Sequence, residues 1–304
     1  LYDVFVRVLW LAPLAACGRI AFDPLPARDA AADGPCVWST WSAPVRLGGA
    51  VNSTSDDWVP TPARDGLDLY FFSYRAGAQK TGIWHAQRPS LDVDFGAATL
   101  VAELDSVDDD RTIGVTDDAL AAVFERNVGG TGSQLFATSR VALSDPFDPG
   151  TALAALNNFA NSDPVLSADG LRLVFESSRG GTGAQDLYEA TRTSRTSAFG
   201  PPLELTTVNS ASNEIGPGLS SDGLEIVFAS DRPGGKGGFD VYTSRRLALD
   251  QPFASPTPID PLNGAMDDVG PRLSSDGATL YFNYNTITAG GGDADMWTAT
   301  RSCL

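Results

Sequence analysis

Pro164-Val-Leu-Ser-Ala-Asp169-Gly170-Leu-Arg-Leu-Val-Phe175 is the stretch that decides the fold. A short apolar segment enters an Asp-Gly turn and leaves it as an alternating apolar run, which is the pattern of a β-hairpin. Leu171, Leu173 and Phe175 alternate with Arg172 and Val174, so one face of the second strand packs while the other is more weakly apolar. A glycine-rich loop from Arg179 to Gly183 leads to a third run, Asp186 to Ala190, and a fourth follows between Phe199 and Leu205. Four short strands in succession make one blade of a β-propeller.

The phrase recurs at Asp65-Gly66 to Phe71, Asp118-Ala119 to Phe124, Asp222-Gly223 to Phe228 and Asp276-Gly277 to Phe282, at intervals of 51 to 54 residues. Repetition at that period predicts an all-β propeller of five four-stranded blades, in preference to six. Copies three to five share Pro-x-Leu-Ser-x-Asp-Gly from Pro164, Pro217 and Pro271, and their third strands begin Asp186-Leu-Tyr, Asp240-Val-Tyr and Asp295-Met-Trp. The first two are eroded: copy one keeps Pro60 but loses Leu-Ser, and copy two has Ile113 for the proline and Ala119 for the glycine. With these motifs the chain resembles the TolB-type, WD-like β-propeller repeat family over residues 42 to 301. The resemblance implies a propeller serving as scaffold, binding module or gate, and says little about a particular activity.

The repeats are entered through Trp41 to Leu47, which matches a fourth strand, and left after Thr298 to Arg301, which matches a third. The N-terminal strand is therefore expected to complete the last blade and remove the open edges. Cys36 precedes that fourth strand and Cys303 follows that third, neighbouring positions in an antiparallel pair, so a Cys36–Cys303 disulfide is expected. Closing so long a loop stabilises by on the order of 5 kcal/mol in the chain-entropy picture. Residues 1–17 resemble a bacterial lipoprotein signal peptide, with Arg7, an apolar stretch and the lipobox Leu14-Ala15-Ala16-Cys17, which implies lipidation of Cys17. Residues 18–36, rich in Ala, Pro and Asp, read as a flexible tether, leaving 37–304 as the propeller domain. The expected location is the outer membrane, facing the periplasm or the cell surface, with the Cys17 lipid as the sole membrane contact and the protein a monomer.

With 38 acidic against 21 basic residues the net charge is −17, and only Lys80 and Lys236 are lysines. Such a surface repels nucleic acid and anionic membranes. His85 is the single histidine, which removes multi-histidine metal sites and makes a structural role the default for it. The glycine-rich segments Arg179–Gly183, Pro233–Gly238 and Gly290–Gly292 lack the strand-to-helix context of a phosphate cradle and read as hairpin loops. Arg179 with Asp186, and Arg232 with Asp240, are expected to form structural ion pairs within their blades.

One column suggests a site. Asp57, Asp110, Asn161, Glu214 and Asp268 stand three residues before each repeat proline or its replacement, and Asp163 directly precedes Pro164. Placed where a fourth strand leads into the next innermost strand, Asp57, Asp110, Asp163, Glu214 and Asp268 would ring one mouth of the central channel. Such a ring needs a compensating charge: a basic peptide segment, or Ca²⁺ at Asp57, Asp110 and Asp268. The competing reading is that these residues cap turns. No cofactor is required. The expected function is a non-enzymatic binding or scaffold propeller of the cell envelope, recognising an envelope protein, a peptide or a polar glycan at an acidic channel mouth. The alternative is a carbohydrate-active enzyme, a glycoside hydrolase or lyase, which requires two acids in distinct environments.

Overall fold

The computed structural model describes residues 36–75, 80–129, 132–286 and 294–304. The chain divides into two units, 1–37 and 38–304, and the second is the propeller. The expected signal peptide, Cys17 and, Cys36 apart, the expected tether lie outside the described residues.

After β1 (Val45–Arg46), blade one is β2 (Asp57–Ala63), β3 (Asp68–Ser73), β4 (Gly82–Gln87) and β5 (Thr99–Leu100). Blade two is β6 (Asp109–Val115), β7 (Ala121–Val128), β8 (Gly132–Ser139) and β9 (Thr151–Ala152). Blade three is β10 (Asn161–Leu166), β11 (Arg172–Ser177), β12 (Asp186–Thr191) and β13 (Leu203–Glu204). Blade four is β14 (Glu214–Leu219), β15 (Glu225–Ser230), β16 (Asp240–Arg245) and β17 (Thr257–Pro258). Blade five contributes β18 (Asp267–Leu273), β19 (Thr279–Thr286) and β20 (Met296–Thr300), and β1 supplies its fourth strand, in the order β1-β20-β19-β18. Val45 faces Thr298 and Arg46 faces Trp297, so the ring closes as the sequence predicts. Cys36 and Cys303 form the expected disulfide.

The repeat phenylalanines Phe71, Phe124, Phe175, Phe228 and Phe282 are each at most 1% exposed. Burial of each such side chain is worth roughly 1.5–3 kcal/mol. The second face of the strand is packed more fully than its composition suggests: Leu173 and Phe175 join Val123 and Leu135 of blade two, while Val174 joins Ile226 and Phe228 of blade four. Each blade is sandwiched between two others, so its second strand must be apolar on both faces.

A second repeated feature had escaped the motif. Arg88, Arg140, Arg192, Arg246 and Arg301 follow the third strands, and each donates Nε to the carbonyl of Gly66, Ala119, Gly170, Gly223 or Gly277 at 2.7–2.8 Å. Each guanidinium also lies over a ring: Phe95, Phe147, Phe199 and Phe253 at 4.4–4.5 Å, and in blade five Trp38 and Trp41 at 4.3 and 4.4 Å. The N-terminal segment thus completes blade five with an arginine–aromatic contact as well as a strand. Arg301 is further held by Glu225 of blade four through two hydrogen bonds of 3.0 and 2.8 Å, both partners buried.

Each innermost strand carries a bulge at one end, marked by register shifts between Trp58 and Thr61, Asp110 and Ile113, Ser162 and Val165, Ile215 and Gly218, and Val269 and Arg272. Val59, Asp163, Gly216 and Gly270 lie at these bulges with φ of 51, 49, 58 and 62°. Gly270 is required there by more than its dihedral, since a Cβ would stand 3.0 Å from Val59 Cγ2. The bulge tips crowd the axis and form the floor of the pocket described below.

Removing Arg301 leaves the buried Glu225 carboxylate with the half-exposed Arg245 as its remaining counter-charge. Arg301→Ala should lower unfolding free energy by about 3–5 kcal/mol in urea titrations, a larger loss than Arg46→Ala at the exposed Arg46–Asp295 pair.

Candidate functional site

The bulges decide where the candidate acids go. Asp57, Asp110, Glu214 and Asp268 are all 0% exposed and do not ring the mouth. Each turns back into its own blade and accepts a backbone N–H from four residues earlier: Ser53 at 2.6, Ser106 at 2.7, Ser210 at 2.8 and Gly264 at 2.6 Å. Three also pair with an arginine at the end of the second strand: Arg75–Asp57 at 2.6, Arg126–Asp110 at 2.6 and Arg232–Glu214 at 2.8 Å. In blade three Arg179 meets Asn161 Oδ1 at 2.7 Å instead. This geometry corrects two expectations. The column caps turns and holds arginines, as the competing reading had it. Arg179 and Arg232 pair with this column rather than with Asp186 and Asp240, which accept backbone N–H groups of Gly183 and Lys236. Among the described residues no group of three or more His, Cys, Asp or Glu is arranged to hold a metal, and Asp57 and Asp110 already have arginines as counter-charges.

Asp163 is the exception. At a bulge tip rather than behind it, it lines an axial pocket of about 400 Å³ at this mouth. All five blades contribute, unequally. Blades two and three supply a polar wall: Arg111, Glu125, Ser133, Asp163, Glu176 and Gln185. Blades one, four and five supply an apolar one, including Trp58 and Phe72, whose rings lie 6.5 Å apart and 16° from parallel, with Ile215, Phe239 and Val269. Ser133, Gln185 and Phe239 lie on or beside the connections between second and third strands, the loops expected to open on this face.

Glu125 and Glu176 occupy the same repeat position, immediately after the phenylalanine of the second strand. Glu125 is 3% exposed; it accepts from Ser133 Oγ at 2.6 Å and from the Asp163 N–H at 3.4 Å, with Arg111 3.7 Å away. Glu176 is 4% exposed and accepts from Ser162 Oγ at 3.0 Å and Gln185 Nε2 at 2.6 Å. Thr112 donates to Asp163 at 2.6 Å. Burial first, and then the negative charge of Asp163, push the Glu125 carboxyl up to about 7. The same two causes, with Glu125 adding to them, raise Glu176 well above the usual carboxylate range. A side-chain interaction with Asp163 is a further, smaller cause of the rise at Glu176.

Sequence reasoning missed both glutamates. The available signal was chemical rather than positional: the slot after the phenylalanine holds Phe72, Ala229 and Asn283 in the other blades, and a carboxyl in a strand buried on both faces requires a reason. His85, by contrast, stacks on Tyr70 at 4.4 Å and meets Asp68 at 2.8 Å, away from the axial pocket. Two of the glycine-rich loops use their freedom as expected, with Gly180 at φ 84° and Gly234 at φ 101°. Gly290–Gly292 lies outside the described residues.

No protein-family model matches the chain, and no curated protein sequence does. Solved structures share its architecture. A putative TolB from Agrobacterium tumefaciens superposes with a TM-score of 0.54 at 16% identity, over 83% of this chain and 78% of that one. An α-L-arabinofuranosidase from Lactobacillus brevis gives 0.55 at 12% identity, over 81% and 90%. The catalytic domain of a Coprinopsis cinerea GH62 α-L-arabinofuranosidase gives 0.54 at 10% identity, over 86% and 97%. At these identities the likeness is one of fold, and it extends to both a TolB and arabinofuranosidases.

Proposed function

We propose that this propeller is an exported recognition module that binds a small polyhydroxylated ligand, of saccharide type, in the axial pocket. The observation that carries the reading is the division of the pocket into an aromatic wall at Trp58 and Phe72 and a hydrogen-bonding wall at Glu125, Asp163, Glu176 and Gln185. A sugar ring has the same two aspects, an apolar face of C–H groups and a rim of hydroxyls. Carboxyl and amide groups both donate to and accept from hydroxyls, and a protonated carboxyl does so without placing a full charge in a buried site. The volume lies in the range of small-ligand pockets and favours such a ligand over a protein segment. The disulfide supports export to an oxidising compartment, where a Cys17 lipid anchor would also be attached.

One observation favours a second reading, glycoside hydrolysis. A glutamic acid that holds its proton more tightly than an ordinary carboxyl, beside a second carboxyl, is the arrangement a proton donor to a glycosidic oxygen needs, and burial with Asp163 nearby raises Glu176 in that direction. Arabinofuranosidases with this fold show that a propeller accommodates such chemistry; the pocket's own residues decide whether this one does.

Binding of a panel of oligosaccharides, measured by calorimetry alongside reducing-sugar release, separates the readings. Saturable binding without turnover, weakened about ten- to a hundredfold by Trp58→Ala, is the expected result. Turnover abolished by Glu176→Gln would instead establish the hydrolase. Failure of every glycan to bind would remove both.

The raised carboxyls predict a pH dependence independent of any ligand. A group whose folded pKa lies above its unfolded one contributes stability fully below the unfolded pKa and loses it as pH rises through the folded pKa. For Glu125 that window runs from about 4.5 to about 7. The urea midpoint of the parent should therefore fall between pH 5 and pH 8, Glu125→Gln should fall less, and Glu125→Gln/Glu176→Gln should flatten the profile further.

A further inference from the structure

Deeper along the axis, on the same innermost strands, blade five carries Arg272 at a position where the other blades have Thr61, Gly114, Val165 and Gly218. It is 2% exposed and is the largest fully buried side chain among the described residues. Its Nη1 donates to the carbonyls of Gly216 and Pro271, both at 3.1 Å. Its Nε and Nη2 meet no protein acceptor, and they are two of the four buried side-chain polar atoms among the described residues in that condition. The contrast with the other deeply buried arginines is sharp. Arg246 and Arg301 each donate Nε to a carbonyl and two further N–H groups to a glutamate, Glu189 and Glu225 respectively. No carboxylate among the described residues comes within ion-pair distance of Arg272.

A buried guanidinium with two idle donors and no counter-ion is costly enough to require a partner. Arg272 lines a separate inner cavity of about 30 Å³, with Val165, Leu166 and Leu219 on its apolar side and Thr61 and Ser221 on its polar side. That space holds one or two particles the size of a water molecule and no organic acid. One titratable group bears on the guanidinium and another lines its cavity. Asp163, in the axial pocket, favours its charge; Asp117, on the inner cavity, is tied to Ser221 Oγ at 3.0 Å and pushed upward by burial.

We propose that the inner cavity is an anion site in which Arg272 Nε and Nη2 bind a single monatomic anion of halide size, with chloride the expected occupant. The site is distinct from the axial pocket, and neither depends on what that pocket binds. A ligand that binds only the folded chain raises stability with the logarithm of its concentration once the site fills. Thermal unfolding at constant ionic strength, with sodium gluconate progressively replaced by sodium chloride, should therefore show a rising midpoint for the parent and a flat line for Arg272→Met. Superimposable chloride and gluconate curves for the parent, or an equal rise in Arg272→Met, would overturn the assignment and leave water as the partner of the two donors. Crystals of the unaltered protein soaked in bromide give a test that does not depend on the variant folding. An anomalous peak touching Arg272 Nε and Nη2 supports the site, and its absence there rules it out.

Discussion

The arginine after each third strand is the contact on which the ring depends. Its Nε reaches the carbonyl at the turn between first and second strands, and its guanidinium lies over an aromatic side chain of the outer connection. One side chain thereby ties the inner hairpin of a blade to its periphery, where the fourth strand is only two residues long and contributes few ladder bonds. In blade five the ring beneath Arg301 comes from Trp38 and Trp41, so closure uses the interaction that builds every other blade. The Glu225 pair then locks blade five to blade four. Closure is thus a matter of repeating one contact in a segment from the other end of the chain, with strand pairing and the disulfide added to it.

What was legible in the sequence follows from what repeats. The hairpin phrase, its period and the fourth-strand character of Trp41 to Leu47 gave blade number and closure, because each depends on local turn chemistry and alternation. The acidic column was equally visible, but its direction was not. A bulge lies just after Asp57, Asp110 and Glu214, and a one-residue change of register reverses the face a side chain presents. The carboxylates therefore face their own turns and arginines, while Asp163, two residues nearer the proline and at the bulge itself, reaches the axis. Pattern alone could not locate that reversal, because it is set by five bulges meeting around the axis and not by the composition of any one repeat.

The axial pocket is legible only against the repeat, as departures from it. Glu125 and Glu176 fill a slot that other blades fill with Phe72, Ala229 or Asn283, and both fall in adjacent blades. Two glutamates and an aspartate sharing a buried wall repel one another if all are charged, so the site must hold protons, as the raised Glu125 and Glu176 do. Stability does not ask for this arrangement: the apolar wall opposite shows that the same positions pack without carboxyls. A costly group retained at two neighbouring positions, facing a pocket with an aromatic platform, is what recognition or proton transfer requires.

The sign of charge alternates along the axis in a way the net charge of −17 does not suggest. The carboxyl wall is followed by the Arg272 guanidinium and then by Asp117. Arg272 is almost fully buried, so the field of Asp163 reaches it with little screening and favours its charged form. The negative charge of Asp163 also raises the proton affinity of Glu125 and Glu176. One carboxylate, Asp163, thus bears both on the pocket wall and on an arginine that lines a different cavity. A ring of nearly identical blades acquires a directional site through three side chains, Glu125, Glu176 and Arg272, at repeat positions where the remaining blades carry no charge.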